Sequence, residues 1–141
     1  MAVLQEQLPY ILQNLKGAAG AGVSFVGIGV DDPYLADALT GKAGARFASY
    51  SEAVMDQLNN ALSAIYASAD IPMATVSSFF NADDRSKVKL KEMGSVPNNV
   101  ASACELTWMC APKPYGPNLH PNDAGYLRIA EAIEGVLTPP W

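Results

Sequence analysis

The chain holds a single histidine, two cysteines and few charges of either sign: 9 Lys and Arg against 14 Asp and Glu in 141 residues, a formal net charge of -5. Each shortage excludes something. The densest basic stretch, Arg85-Ser86-Lys87-Val88-Lys89-Leu90-Lys91, alternates cations with other residues. It reads as a solvated loop or sheet edge, and with the negative net charge it argues against a nucleic-acid partner. No apolar run approaches the roughly 20 residues of a membrane span, so stable membrane insertion is not expected. The first residues lack the basic region followed by an apolar stretch that marks a signal peptide. With one His available, Cys104 and Cys110 find no further partners for a metal set.

What is present fits a globular protein. Half the residues are apolar and 16% are charged, and the length predicts one α/β domain over residues 1–141. Cys104 and Cys110 lie six positions apart in a segment rich in proline and asparagine. The better reading is a small-loop disulfide, which favours an oxidising compartment; two reduced buried cysteines are the alternative.

Leu4, Leu8, Ile11, Leu12 and Leu15 recur at helical spacing and predict an amphipathic helix, kinked or restarted at Pro9 and ended by Gly17, Gly20 and Gly22. Val23 to Val30 reads as a buried parallel strand, with Gly27 and Gly29 allowing close approach of a packed element. Asp32 is a candidate N-cap with Pro33 at the first helical position, a commoner role for Asp31-Asp32 than metal binding. Phe47, Tyr50, Val54, Leu58, Leu62 and Ile65 mark a long helix over about Ala43 to Ala69, and Met73 to Ser77 a second strand. Strand, helix and strand make a parallel βαβ unit. Residues 81–118 show little periodicity and read as a long irregular connection. A final helix is expected over Asn122 to Leu137, with Tyr126, Ile129, Ala130, Ile133 and Leu137 inward.

Ligands of open parallel sheets collect at the carboxyl ends of the strands, where loops lead into helix N-termini. His120 comes from such a loop, with Pro121 fixing the backbone and Asn122 or Asp123 able to cap. A helix N-terminus disfavours the imidazolium and so helps keep the ring neutral and able to accept a proton; Asp123 partly offsets this. Taken alone, the residue reads more readily as a packing or capping group; the surrounding motif changes that.

The block His120-Pro121-Asn122-Asp123-Ala124-Gly125-Tyr126 resembles the C-terminal block of the SGNH, or GDSL-type, esterase and lipase family. Asp32-Pro33-Tyr34-Leu35-Ala36, the Asp56-Gln57-Leu58-Asn59 stretch, and Cys104 to Cys110 around Thr107-Trp108-Met109 resemble secreted actinobacterial-type members, so the likeness runs from Leu8 to Val136. It implies a flavodoxin-like parallel sheet with flanking helices. It also implies a carboxylic ester hydrolase in which His120 is the general base that activates a serine, with no metal or organic cofactor. A small ester or lipid would be the substrate and the location extracellular. Where the family carries an aspartate three residues before the histidine, this chain has Pro117, with Asn118 beside it; the implied arrangement is a Ser-His dyad oriented by a backbone carbonyl. The family's Gly-Asp-Ser nucleophile block, oxyanion-hole glycine and Gly-x-Asn-Asp block do not occur, so the chain corresponds to the C-terminal half of such a fold.

Three functions follow. In the first, an ester hydrolase uses a relocated nucleophile, with Ser77 and Ser78 at the end of the second strand as candidates; a plain turn is the commoner use of each, since no glycine flanks them. Ser24, Ser49 and Ser51 are poorer candidates within regular elements. In the second, a catalytically incomplete fragment supplies His120 while a partner chain supplies the nucleophile. In the third, a binding remnant keeps a groove of Phe79, Phe80, Trp108 and Tyr115 for acyl chains or aromatic esters, though such aromatics are more often core or loop anchors. A two-stranded parallel sheet leaves an apolar edge. The first helix is expected to cover it, or a second chain to pair with it by homo-oligomerisation or strand exchange.

Overall fold

A computed structural model describes residues 1–91 and 93–137. The chain is α/β in the general sense, mixing helices with one small parallel and one small antiparallel sheet. Helix α1 (Ala2–Ala19) contains Pro9 and packs on α2 (Lys42–Ser68). Leu12 meets Ile65 and Ile71 there, with Leu4, Leu8, Phe25 and Tyr66 around them.

The parallel pair is shorter than the apolar runs predict. Only Gly27–Ile28 (β1) and Met73–Ala74 (β2) pair, in the register Gly27 to Met73 and Ile28 to Ala74. The expected glycine contacts are present. A Cβ on Gly27 would run into the Tyr66 ring of α2, and one on Gly29 would lie 2.7 Å from Met73 Cε. Beyond β1, the Asn59 side chain accepts from the Val30 N–H at 2.9 Å and donates to the Val30 carbonyl at 2.9 Å. The helix thus closes the strand with a side-chain amide. Among the described residues β1 pairs only with β2, and Ile28 is 46% exposed.

Asp32 caps as expected, accepting from the Tyr34 N–H at 3.1 Å with Pro33 next, but the element it starts is a 3-10 helix, Pro33–Thr40. That helix lies along α2, where the Tyr34 and Phe47 rings meet edge to face at 5.3 Å. The expected inner stripe of α2 holds in its later half, where Leu62 and Ile65 are buried, and is corrected in its first half beside the 3-10 helix. Ala48 and Ser51 are buried, whereas Phe47, Tyr50 and Val54 are exposed. One residue along a helix is a rotation of about 100°, and the face chosen is the one that lets Ser51 reach Asp32.

The expected irregular connection is instead a hairpin and a helix. Lys87–Leu90 (β3) pairs antiparallel with Gly94–Pro97 (β4), and Asn98–Leu106 (α4) follows directly. The alternation of Lys87 and Lys89 with Val88 and Leu90 is a period of two. The apolar pair packs on Val96, Ala101 and Leu39 while the lysines face water. Helix α4 escapes a periodicity search because Asn99, Val100, Ala101, Ser102 and Ala103 are all buried. A helix buried around its circumference carries no polar stripe.

After β2 the chain turns at once into a short helix, α3 (Val76–Phe79), and the last helix is α5 (Asp123–Glu134). Ala74, Val76, Phe80 and Ala132 form the core between them, flanked by Phe79, Ile129 and Ile133. Tyr126 and Ala130, expected inward, are exposed; the inner face of α5 runs through Gly125, Ile129, Ala132 and Ile133.

Candidate active site

The loop before α5 is built on the end of α4. Thr107 and Pro121 form an isolated antiparallel bridge. The Trp108 N–H donates to the His120 carbonyl at 3.0 Å, and the Asn118 N–H donates to the Trp108 carbonyl at 3.2 Å. Asn122 fixes the far side: its N–H donates to the Leu106 carbonyl at 3.0 Å, and its amide donates to the Glu105 carbonyl at 2.8 Å. Its side-chain oxygen accepts from the Gly125 N–H at 3.1 Å and so caps α5. Gly125 itself is buried, and a Cβ there would drive into the Leu106 carbonyl and stand 2.9 Å from Pro121 Cβ. The glycine of the His-Pro-x-x-x-Gly block is therefore what lets α5 start against α4.

His120 is exposed, and its ring makes one hydrogen bond, Nδ1 to Asn118 Oδ1 at 2.6 Å. The same Oδ1 accepts from the His120 backbone N–H at 2.9 Å. A backbone N–H only donates, so the shared atom must be the amide oxygen and not its nitrogen. In the neutral ring the nitrogen facing that oxygen carries the proton, and Nε2, turned away from Asn118, carries the lone pair. This is the tautomer a general base requires. The expected backbone-carbonyl orienter is replaced by a side chain two residues upstream. Asn before a histidine at that spacing is an Asx-turn signal that sequence reasoning passed over.

Ser77 and Ser78 sit in α3 and not at a strand end. Ser77 is half-buried and lines a cleft of about 360 Å³ with Asp56, Asn59, Thr75 and Asp83, at the carboxyl end of the parallel pair; Ser78 is exposed. His120 does not line that cleft, and among the described residues no serine is hydrogen-bonded to its ring. Helices α3 and α5 do pack together, with Val76 and Phe80 against Ala132 in the later turns of α5, whereas His120 precedes its first turn.

The four aromatics do not share one lining. Phe79 and Phe80 pack in the core against Ala74 and Ala132. Trp108 stacks on Tyr115 at 5.8 Å with 29° between the planes, and Tyr115 is 66% exposed. Cys104 and Cys110 form a disulfide that packs with Met109 against Leu35, Ala36 and Ala103.

Asp31 and Asp32 follow β1. Burial pushes both carboxyls above the ordinary carboxylate range. The Ser51 hydroxyl lies 2.5 and 2.6 Å from the two Asp32 oxygens and acts against that rise, whereas Asp31 Oδ2 is buried with no partner among the described residues. Among the described residues no group of three or more His, Cys, Asp or Glu is placed to hold a metal ion.

The chain matches no protein-family model, no curated protein and no solved structure.

Proposed function

We propose that this chain is a carboxylic ester hydrolase of SGNH type in which His120 is the general base and Asn118 orients it. The observation that carries the reading is the Asn118–His120 pair, which leaves Nε2 ready to take a proton. His120 removes the proton of a serine hydroxyl as the oxygen attacks the ester carbonyl, and then returns it to the leaving alcohol. Ser77 is the nucleophile candidate within the chain, since it lines a cleft at the carboxyl end of the sheet. The substrate is a small ester or lipid, and the disulfide is compatible with an extracellular setting.

A second reading is favoured by two observations: among the described residues His120 is not bonded to a serine, and β1 keeps one edge unpaired. In that reading a partner strand completes a flavodoxin-like sheet and brings the nucleophile to His120. Labelling the purified chain with a fluorophosphonate, followed by intact mass and peptide mapping, separates the two. An adduct at Ser77 that vanishes in His120→Ala supports a self-sufficient hydrolase. A folded chain that takes no label sinks it and leaves the incomplete form.

A further inference from the structure

We propose that the Cys104–Cys110 disulfide is the positioning element for His120 and acts through the backbone of Trp108. The proposal rests on the reading of His120 as a base. Trp108 brackets the Asn118–His120 turn at both ends: its carbonyl accepts from the Asn118 N–H, and its N–H donates to the His120 carbonyl. The ring contact between Asn118 and His120 lies inside that bracket, so on the side before His120 the turn leans on Trp108, as on the side after it the chain leans on Asn122.

Trp108 is fixed from two sides. Upstream, the Thr107 hydroxyl donates to the Ala103 carbonyl of α4 and accepts from the Met109 N–H at 3.1 Å, and Thr107 is 2% exposed. Downstream, Cys110 is tied back to Cys104 in the last turns of α4, with a Cα–Cα distance of 4.9 Å. Trp108 sits between these anchors. Without the crosslink, the downstream side keeps the Met109 N–H bond to the Thr107 hydroxyl, the Ala111 N–H bond to Trp108's own carbonyl, which lies within the loop, and the apolar packing of Met109 and Cys110. Of these only the Met109 bond reaches α4, one residue past Trp108 and by way of the Thr107 hydroxyl; beyond Met109 the disulfide is the direct tie to that helix. The disulfide also packs against Leu35 and Ala36, so it ties the His120 loop to the 3-10 helix that starts at the end of β1.

The chain has one histidine, so in ¹⁵N-labelled protein a single imidazole reports this site directly. Spectra are compared for the oxidised chain, the chain reduced by a dithiol, and Cys104→Ser/Cys110→Ser. In the reduction the two cysteine sulfurs take up two electrons and two protons while the dithiol closes to its own disulfide. The neutral ring is expected to show the Nδ1–H pattern when oxidised, to shift toward the Nε2–H pattern of free imidazole when reduced or in the double variant, and to return on reoxidation. A folded reduced chain whose imidazole pattern does not move overturns the proposal, because a merely stabilising crosslink lowers the melting temperature and leaves the tautomer alone. If both crosslink-free forms unfold, amide exchange in the oxidised chain still tests the bracket on which the proposal stands. Protected Trp108 and Asn118 amides support the bracket, and free exchange at both overturns it. Ester turnover bears on the hydrolase reading alone; the imidazole and amide signals decide this one whether or not an ester is cleaved.

Discussion

Asn118 Oδ1 stands 2.6 Å from His120 Nδ1 and 2.9 Å from the His120 backbone N–H, so a single amide oxygen fixes both the turn and the tautomer of the ring that follows it. The geometry makes Asn118 a positioning residue. Asn118→Ala is expected to lower kcat for a short-chain ester roughly tenfold, the rate equivalent of one lost hydrogen bond of about 1.4 kcal/mol, with little change in KM. Asn118→Asp, which keeps the acceptor, is expected to retain or raise kcat. His120→Ala is expected to abolish turnover. Equal kcat for Asn118→Ala and the parent chain would remove Asn118 from the mechanism.

Gly125 tests the framework beneath that turn. A methyl group there meets the Leu106 carbonyl and the Pro121 ring, and α5 cannot start where it does without displacing α4. Gly125→Ala is expected to destabilise the chain by about 1–3 kcal/mol, the ordinary cost of overpacking, although alanine favours a helix more than glycine does. Thermal melting of the two proteins checks it. A variant as stable as the parent would mean that the α4–α5 junction is looser than its geometry.

How far these features can be read from the sequence depends on what carried their signal. The long helix α2 and the Asp32 cap are local matters of periodicity and side-chain chemistry, and both are legible. The face of α2 is not, because Phe47 and Tyr50 are the more apolar choice and only the 3-10 helix, through Asp32 and Ser51, selects the other side. Helix α4 is hidden by its own burial, and the β3 strand by the charge of its lysines. At the site, His120 stands out as the lone histidine of a recognisable block. Its orienter does not, since Asn118 matters through one Asx turn and not through any spacing shared with a catalytic aspartate.

Ser51 and Asp32 give a pH-dependent outcome. The Ser51 hydroxyl is the side-chain donor to a carboxylate that burial otherwise pushes up. Ser51→Ala leaves a buried charge short of a partner and is expected to cost about 1–3 kcal/mol near neutral pH. The loss shrinks as pH falls through the native range of Asp32, because the protonated carboxyl needs the donor less. Denaturant melts of parent and variant at several pH values read this directly, and a pH-independent difference would assign the cost to packing alone.

Asp31 is the opposite case, a carboxyl whose charge works against the fold. Its Oδ2 is buried without a partner among the described residues, and burial first, then the neighbouring Asp32, raises it above its ordinary range. Between the unfolded and native values the folded chain holds the proton more tightly than the unfolded chain does, so stability falls as pH rises through that window. Above the window the whole penalty is present. Asp31→Asn removes the ionisable group and nearly keeps its shape, and is expected to stabilise the chain near neutral pH by on the order of 1 kcal/mol. The gain should fade as the medium is acidified to the ordinary carboxylate value, where the parent carboxyl is itself neutral. If Asp31→Asn instead destabilises the chain at neutral pH, the carboxylate is being used, and the cation or donor that partners it becomes the next thing to identify.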